Sequence, residues 1–241
     1  NFSTLHNKVT YLDPSIPRIE GSKGGVDGTN NTICSAVEVG YPLWYFRGYQ
    51  YDGVYQEDVY NDKNELIHQQ GAPIIRDVNG DNEINTGDIT YIGKAMPDYT
   101  YGITLNLAWK GIDFSLFGTG VGGNDIFTVL YRYDTPMRNS LRYYYDNAWT
   151  PEKKNALMPA CNLVASDANF WASSASMFSG AYFKIKQIQL GYTLPQRWTR
   201  KIFVNNFRVY VSLDDFFTIT KYPGMDPETA TTNAASGMGY D

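Results

Sequence analysis

From Tyr99 to Trp109 the chain alternates without a break. Tyr99, Tyr101, Ile103, Leu105, Leu107 and Trp109 fall on one phase, and Thr100, Gly102, Thr104, Asn106 and Ala108 on the other. A period of two puts successive side chains on opposite faces, so the stretch specifies a β-strand with one bulky apolar face and one small or polar face. Lys110-Gly111 then supplies a tight turn, and Ile112, Phe114 and Leu116 resume the apolar phase opposite Asp113 and Ser115. The pair is a hairpin of long strands. Beyond Leu116, the glycines at 118, 120, 122 and 123 loosen the pattern, and alternation is expected to fade there.

Two more long strands follow. Between Ala181 and Leu194, Phe183 and Ile185 lie on one phase and Ile188, Leu190, Tyr192 and Leu194 on the other; the slip between Lys186 and Ile188 predicts a β-bulge or a strand with two surroundings. Pro195, which offers no ladder donor, ends it. From Phe207 to Ile219, Phe207, Val209, Val211 and Leu213 oppose Arg208, Tyr210, Ser212 and Asp214. Four strands of this length predict one large antiparallel sheet. Their connections are short at Lys110-Gly111 and at 196–206, but long and polar at 52–98 and 124–180, an asymmetry like that of outer-membrane barrels. A short helix is expected from Leu141 to Trp149, stopped by Pro151. In the N-terminal third, 1–10 is expected to end a strand, 13–31 to be a Pro- and Gly-containing connection, and 39–55 an aromatic-rich extended segment.

Composition narrows the solvent. The 241 residues include 20 Tyr, 12 Phe and 5 Trp, with net charge −5. No run approaches the roughly 18 apolar residues of a membrane helix, but a barrel strand crosses with about 9 to 11 residues, half of them facing away from lipid. The chain therefore suits either a membrane barrel or a water-soluble β-protein. Scattered Lys and Arg with no basic run argue against nucleic acid. Cys34 and Cys161 do not form a zinc pattern and are expected as buried or partly buried thiols. The chain begins at Asn1 without a leader and ends in a Thr-, Ala-, Ser- and Gly-rich run, which reads as a piece of something longer.

One stretch carries ligand-like spacing. In a twelve-residue calcium loop, side chains at positions 1, 3, 5 and 9, a carbonyl at 7 and a carboxylate at 12 surround the ion. On that template the chain offers Asp77, Asn79, Asp81, the Glu83 carbonyl, Asn85 and Asp88, with Ile84 packing the loop onto its scaffold. Asn82 stands where Gly is usual, and it tolerates left-handed backbone better than most residues. Asp88 replaces the longer Glu. The alternative reading is an Asx-rich surface turn with no ion.

Several motifs in order carry a resemblance: Gly40-Tyr41-Pro42-Leu43-Trp44 through Gln56; the Asp77 loop followed by Asp88-Ile89-Thr90-Tyr91-Ile92-Gly93; Pro97-Asp98-Tyr99-Thr100-Tyr101-Gly102; Gly191-Tyr192-Thr193-Leu194-Pro195; Arg208 to Ser212; and Phe216 to Tyr222. Over nearly its whole length the chain resembles the C-terminal region of the SusC/RagA family, TonB-dependent transporters of the Bacteroidetes outer membrane. It departs from the family at Asp215-Phe216 and Asn82, and the paired acids Asp214-Asp215 leave local strand geometry open. The resemblance implies an all-β fold, in which residues 1–241 supply about five strands of a 22-stranded transmembrane barrel with long extracellular loops. It implies that the plug, the TonB-contacting segment and the last strand lie outside this chain. It also implies a SusD-like surface lipoprotein, the TonB complex and outer-membrane lipid as partners, and import of glycans or peptides.

Two rival classes are weighed against it. A secreted calcium-binding β-sandwich that binds glycans would bury the apolar face under a second sheet. An enzyme needs converging groups, but Glu57-Asp58 and Asp214-Asp215 are adjacent and point apart on a strand. His6 and His68 stand alone, and no nucleophile or phosphate-loop motif appears. No catalysis is expected.

Overall fold

The alternating stretch is a strand for its whole length, and its partners follow in register. The computed structural model describes residues 1–25, 32–128, 140–153, 155–164, 167–229, 231–233 and 237–240. The chain divides into two units: Asn1–His6 with Pro97–Gly123 and Gly180–Lys221, and Asn7–Met96 with Asn124–Ser179 and Tyr222–Asp241.

The first unit is one antiparallel sheet. Its strands are β1 (Phe2–Thr4), β2 (Tyr99–Trp109), β3 (Ile112–Gly122), β4 (Tyr182–Thr193) and β5 (Arg208–Thr220), in that spatial order. Lys110 and Gly111 turn the β2–β3 hairpin with φ of 47° and 88°, both positive, as a two-residue turn matched to strand twist requires. Register then sorts the side chains. Leu107, Phe114, Leu190 and Val211 make one cross-strand row, and Leu105, Leu116, Ile188 and Leu213 the next. The opposite face carries Asn106, Ser115, Gln189 and Ser212 in one such row.

The phase slip in β4 is a bulge, because the register shifts between Ile185 and Gln187. One ladder step spans Leu116 to Gly118 in β3, Ile188 to Ile185 in β4 and Leu213 to Phe217 in β5. β4 adds one residue to that step and β5 two, and the additions keep Ile185 and Phe217 on the apolar face. Asp215 takes up part of the extra length with φ of 49°.

The glycines of β3 correct an expectation. The strand continues through Gly118 and Gly120 to Gly122, because their missing side chains make room for the rings of Phe183, Tyr101 and Tyr99. Tyr101 and Phe183 stack at 5.7 Å, and Phe2 and Tyr99 at 6.2 Å. Trp109 and Tyr192 stand at the other end of the same apolar face, so aromatics bracket the aliphatic rows as in a barrel's two interfacial girdles.

The apolar face is uncovered. Leu105 is 44% exposed, Leu107 56% and Val211 66%, which no two-layer sandwich permits for its inner face.

The long, polar connections at 52–98 and 124–180 carry short strands and helices of their own among the described residues. Tyr45–Gly48 pairs with Thr90–Lys94, Tyr51–Val54 with Pro73–Ile75, and Val59–Tyr60 with Leu66–His68. Within 13–31, expected to be a connection, Arg18–Gly25 is a strand paired with Thr32–Glu38; residues 26–31 lie outside the described part. The helix expected over 141–149 spans Arg142–Asn147. These pieces share a core of Phe46, Phe127, Tyr144, Met158, Val164, Phe170 and Trp171, and a smaller one of Val54, Trp149, Ala156 and Ala160. Gly71, at φ 85°, lies against the Trp149 ring where a side chain would collide. The second unit is folded by aromatic packing rather than by periodic strands. Burial raises the Tyr144 phenol, with Tyr143 adding to it, so it stays neutral.

A prediction follows for the apolar face. In the full-length protein in a bilayer, Leu105→Arg is expected to destabilise the barrel by about 2–4 kcal/mol if it lies near the midplane. Thr104→Arg, one residue along and facing the other way, is expected to be far milder. Denaturant unfolding in lipid vesicles compares the two.

Candidate functional site

The Asp77–Asp88 segment closes on itself through its own side chains. Asp77 accepts from the backbone N–H of Gly80 at 2.6 Å and of Asn82 at 2.8 Å. Asn79 accepts from the Asp81 N–H, and Asp81 from the Glu83 N–H. Asn85 caps the short 3₁₀ turn Thr86–Asp88 by accepting from Gly87, and Asp88 returns the bond by accepting from the Asn85 N–H at 2.9 Å. The other Asp88 oxygen accepts from Val78 at 2.8 Å and Asn79 at 3.3 Å. Asp88 is fully buried. It is the latch between the ends of the loop.

Asn82 has φ of 64°, so it adopts the left-handed backbone for which Gly is usual. Ile84 is a correction: expected to pack the loop onto its scaffold, it stays 38% exposed.

Of the six named residues, Asn79, Asp81, Asn85, Asp88 and the Glu83 carbonyl are joined by hydrogen bonds, while Asp77 bonds the turn at Gly80 and Asn82. Asp81 accepts side-chain bonds from both Asn79 and Asn85, at 2.9 and 3.2 Å, and the Asn85 amide also reaches the Glu83 carbonyl at 3.4 Å. Carboxylates, amide oxygens and a carbonyl are the donors that hard cations take, so the residue set fits calcium chemistry. Among the described residues no three His, Cys, Asp or Glu side chains gather as a metal-holding group. A cation here would therefore rely on the Asn oxygens and the Glu83 carbonyl as well as on carboxylates.

Backbone donors also set the charge of the loop. The Asn85 N–H, then those of Val78 and Asn79, hold the Asp88 carboxyl below its usual range against its burial. The Glu83 N–H and the Asn79 amide do the same for Asp81.

Beside this loop lies a cleft of about 540 Å³, lined in part by Tyr55, His68, Asp77, Asn82, Asp167 and Asn169. Tyr55 and His68 are nearly parallel, with centroids 4.4 Å apart and planes 8° apart. Sequence reading left His68 isolated. The strand Leu66–His68 pairs with Val59–Tyr60 just beyond Tyr55, and the offset of thirteen positions gave no periodic signal that the rings would meet.

The other residues singled out from sequence have structural places. Asp58 accepts from the Gln70 N–H at 2.7 Å and does not converge with Glu57 on any shared contact. In the sheet, Asp214 sits opposite Gln187, while Asp215, in the bulge, pairs with Lys186 at 3.2 Å and Lys184 at 3.7 Å. The adjacent acids therefore diverge. Cys161 is exposed, which corrects the expectation of a buried thiol; the Cys34 side chain lies outside the described part.

With this geometry in hand, similarity to known proteins decides the family. The chain is 31% identical over 238 residues to TonB-dependent receptor P3 of Formosa agariphila, covering 97% of this chain and 23% of that protein. It is 27% identical over 233 residues to TonB-dependent receptor SusC of Bacteroides thetaiotaomicron, covering 95% of this chain and 21% of that protein. The chain belongs to the SusC/RagA family of TonB-dependent receptors. Two solved structures add the fold: the RagAB peptide transporter, with TM-score 0.67 and 21% identity, and the RagAB peptide importer in its closed-closed state, with TM-score 0.64 and 19% identity. Each covers all of this chain, and this chain covers 24% of theirs. No family model matches. The chain spans under a quarter of the length of the receptors it resembles.

The loop's lowered carboxyls give a pH prediction with a definite sign. A carboxyl held below its ordinary value of about 3.9 stabilises the folded loop above that pH, and the contribution is lost as pH falls through the lowered value. In the full-length receptor, hydrogen exchange at Val78, Asn79 and Asn85, corrected for intrinsic rate, is expected to stay slow at neutral pH and to quicken below about pH 4. Asp88→Ala is expected to remove the protection already at neutral pH.

Proposed function

We propose that this chain is the C-terminal part of the barrel of an outer-membrane active transporter. In this reading the whole protein imports oligosaccharides or peptides with energy delivered through TonB, and a SusD-like lipoprotein closes over its extracellular side. The carrying observation is the two-solvent sheet, with row after row of exposed aliphatics on one face and Asn, Ser and Gln on the other. Lipid suits the first face and a wet lumen the second. The alternative, a secreted sandwich module, has no use for an uncovered Leu105 and Leu107.

One charge pair on the polar face joins two strands. Arg208 donates to both oxygens of Asp113, a bidentate contact, and its guanidinium stacks 5.0 Å over the Tyr210 ring. This contact ties β5 to β3 across Gly191, where a side chain would strike both partners. Its role in the transporter is to hold the strands together near their turn end, not to touch substrate.

Family kinship supports the import reading, since one of the similar structures is a peptide importer. The test is made in cells. The full-length protein is expected in the outer-membrane fraction, to be isolated together with a lipoprotein, and to drive uptake that stops when TonB is deleted. Recovery from the soluble periplasm would overturn the reading.

The same reading gives the Asp77–Asp88 loop a structural calcium ion, held by Asp77, Asn79, Asp81, the Glu83 carbonyl, Asn85 and Asp88. When bound, calcium would offset repulsion among the three carboxylates and drive no chemistry. Outside the cell, an affinity of about 10⁻⁴ to 10⁻³ M suffices. Asp81→Ala in the intact transporter is expected to abolish calcium-dependent protection of the loop in hydrogen exchange and to weaken binding of the lid. Protection equal with and without chelator would leave a plain Asx-rich turn.

A further inference from the structure

Two connections of the sheet meet at one end, and their composition is one-sided. The first is the Lys110-Gly111 turn and the second runs over 196–206; the Thr193 N–H, just before the second, donates to the Gly111 carbonyl at 2.7 Å. We propose that this end of the sheet seats an anionic phospholipid of the periplasmic leaflet, its phosphate on Lys110, Arg197, Arg200 and Lys201 and an acyl chain in the apolar groove along β4 and β5. The seat rests on the transporter reading, in which the short turns are the periplasmic end.

The groove selects hydrocarbon. It has a volume of about 500 Å³ and is walled by Ile112, Leu190, Tyr192, Leu194, Val209 and Val211, on the face that carries the exposed aliphatic rows. Of these six side chains only Tyr192 has a polar atom. A polar ligand would lose its water there and gain almost no hydrogen bonds, whereas an acyl chain has none to lose. Leu194, whose N–H donates to the Phe207 carbonyl at 2.9 Å, carries the groove up to the start of the second turn.

Charge selects the headgroup. Residues 196–206 include Arg197, Arg200 and Lys201 and no acid, and Lys110 stands on the adjoining turn. All four are exposed, and none forms an ion pair among the described residues. Asp113, two residues past the first turn, is already held by Arg208 on the polar face. The four cations therefore have no internal counter-charge, and a phosphate supplies one. A zwitterionic lipid would bring its own ammonium among them, so a headgroup with net negative charge is favoured.

Aromatic rings set the depth. Each turn pairs an exposed Trp with a cation: the Lys110 ammonium lies 4.7 Å over the Trp109 ring, and the Arg197 guanidinium 5.4 Å over that of Trp198. Trp beside Lys or Arg suits the membrane interface, with the ring among headgroups and the charge at the phosphates. Phe203 is an independent sign. It is 99% exposed at φ of 60°, a left-handed backbone unfavourable for a bulky residue. Hydrogen bonds from the Phe203 N–H to Arg200 at 3.2 Å and from the Val204 N–H to Thr199 at 3.1 Å hold it there. Water gains nothing from a ring so presented, while the boundary between headgroups and acyl chains buries it. An acidic peptide would answer the cations and leave the groove unfilled.

The experiment uses the full-length transporter, purified from membranes in detergent and titrated by native mass spectrometry. The probes are phosphatidylglycerol, phosphatidylethanolamine, lipid A and hexaglutamate. Phosphatidylglycerol is expected to be retained most tightly. The triple variant Arg197→Gln, Arg200→Gln, Lys201→Gln is expected to weaken its retention about 100-fold, at about fivefold per cation. Lys8→Gln, Lys63→Gln and Lys153→Gln together remove the same charge from the second unit and are expected to leave retention unchanged, which separates a site from a net-charge effect. Val211→Trp fills the groove, keeps every cation and is expected to weaken retention of phosphatidylglycerol as well. Equal retention of the lipids, preference for lipid A or hexaglutamate, indifference to the triple variant or to Val211→Trp, or an equal loss in the second-unit variant would overturn the proposal. All variants are expected to insert in the outer membrane. Recovery of the parent protein from the soluble periplasm would overturn the transporter reading and the seat with it, whereas an inserted parent without lipid preference would overturn the seat alone.

Discussion

The structure depends on one constraint: every backbone polar group of the sheet must be satisfied by a neighbouring strand while the two faces meet different solvents. Strict alternation in β2 meets that demand residue by residue. The register carries the same division across β3, β4 and β5, so that Leu107 is flanked by Phe114, then Leu190, then Val211. Shifting any strand by one residue would turn its aliphatics toward the polar face. The bulges at Lys186 and Asp215 answer the same need, since without an added residue Ile185 and Phe183 would fall on the wrong side. Lys184 and Lys186 close around the Asp215 carboxylate there, so the irregular backbone is held by charge where ladder bonds are interrupted.

The sheet and the second unit obey different physics. The sheet buries little: its apolar face is exposed and its long strands are organised by hydrogen bonds and cross-strand pairs. The second unit has short strands and a conventional core, where Phe46, Phe127, Phe170 and Trp171 are almost wholly removed from solvent. Around Trp171 the polar atoms are answered locally. The Trp171 indole donates to the Val164 carbonyl at 2.9 Å, and Ser173 bonds the Phe170 carbonyl at 2.6 Å. A chain with modest hydropathy can therefore serve both parts, because the sheet spends its bulky residues outward and the second unit concentrates its own inward.

Function follows this division. In the transporter reading the sheet is a wall between lipid and lumen, and its residues recur with no converging chemistry. The second unit supplies individuality: a self-capped acidic loop and an aromatic cleft that share Asp77 and Asn82. Hydrogen bonds within the loop fix the Asp77 and Asn82 side of the cleft. A change at Asp77 would thus touch both.

The sequence by itself determined the sheet. Period-two alternation is local, so Tyr99 to Trp109 declared its strand, its faces and the hairpin that follows, and the slip near Lys186 declared its bulge. The loop was equally legible, because Asp77 through Asp88 is contiguous and its spacing sets its own hydrogen bonds. Tertiary structure decided the rest. Glycines 118, 120 and 122 looked like breakers until rings from neighbouring strands filled their places. The core within the long connections left no signal because its residues come from segments around 46, 127, 144 and 170, with no shared period to link them. The cleft was hidden for the same reason: Tyr55, His68 and Asp167 become neighbours only when separate segments pack, and contact between distant positions leaves no mark on local pattern.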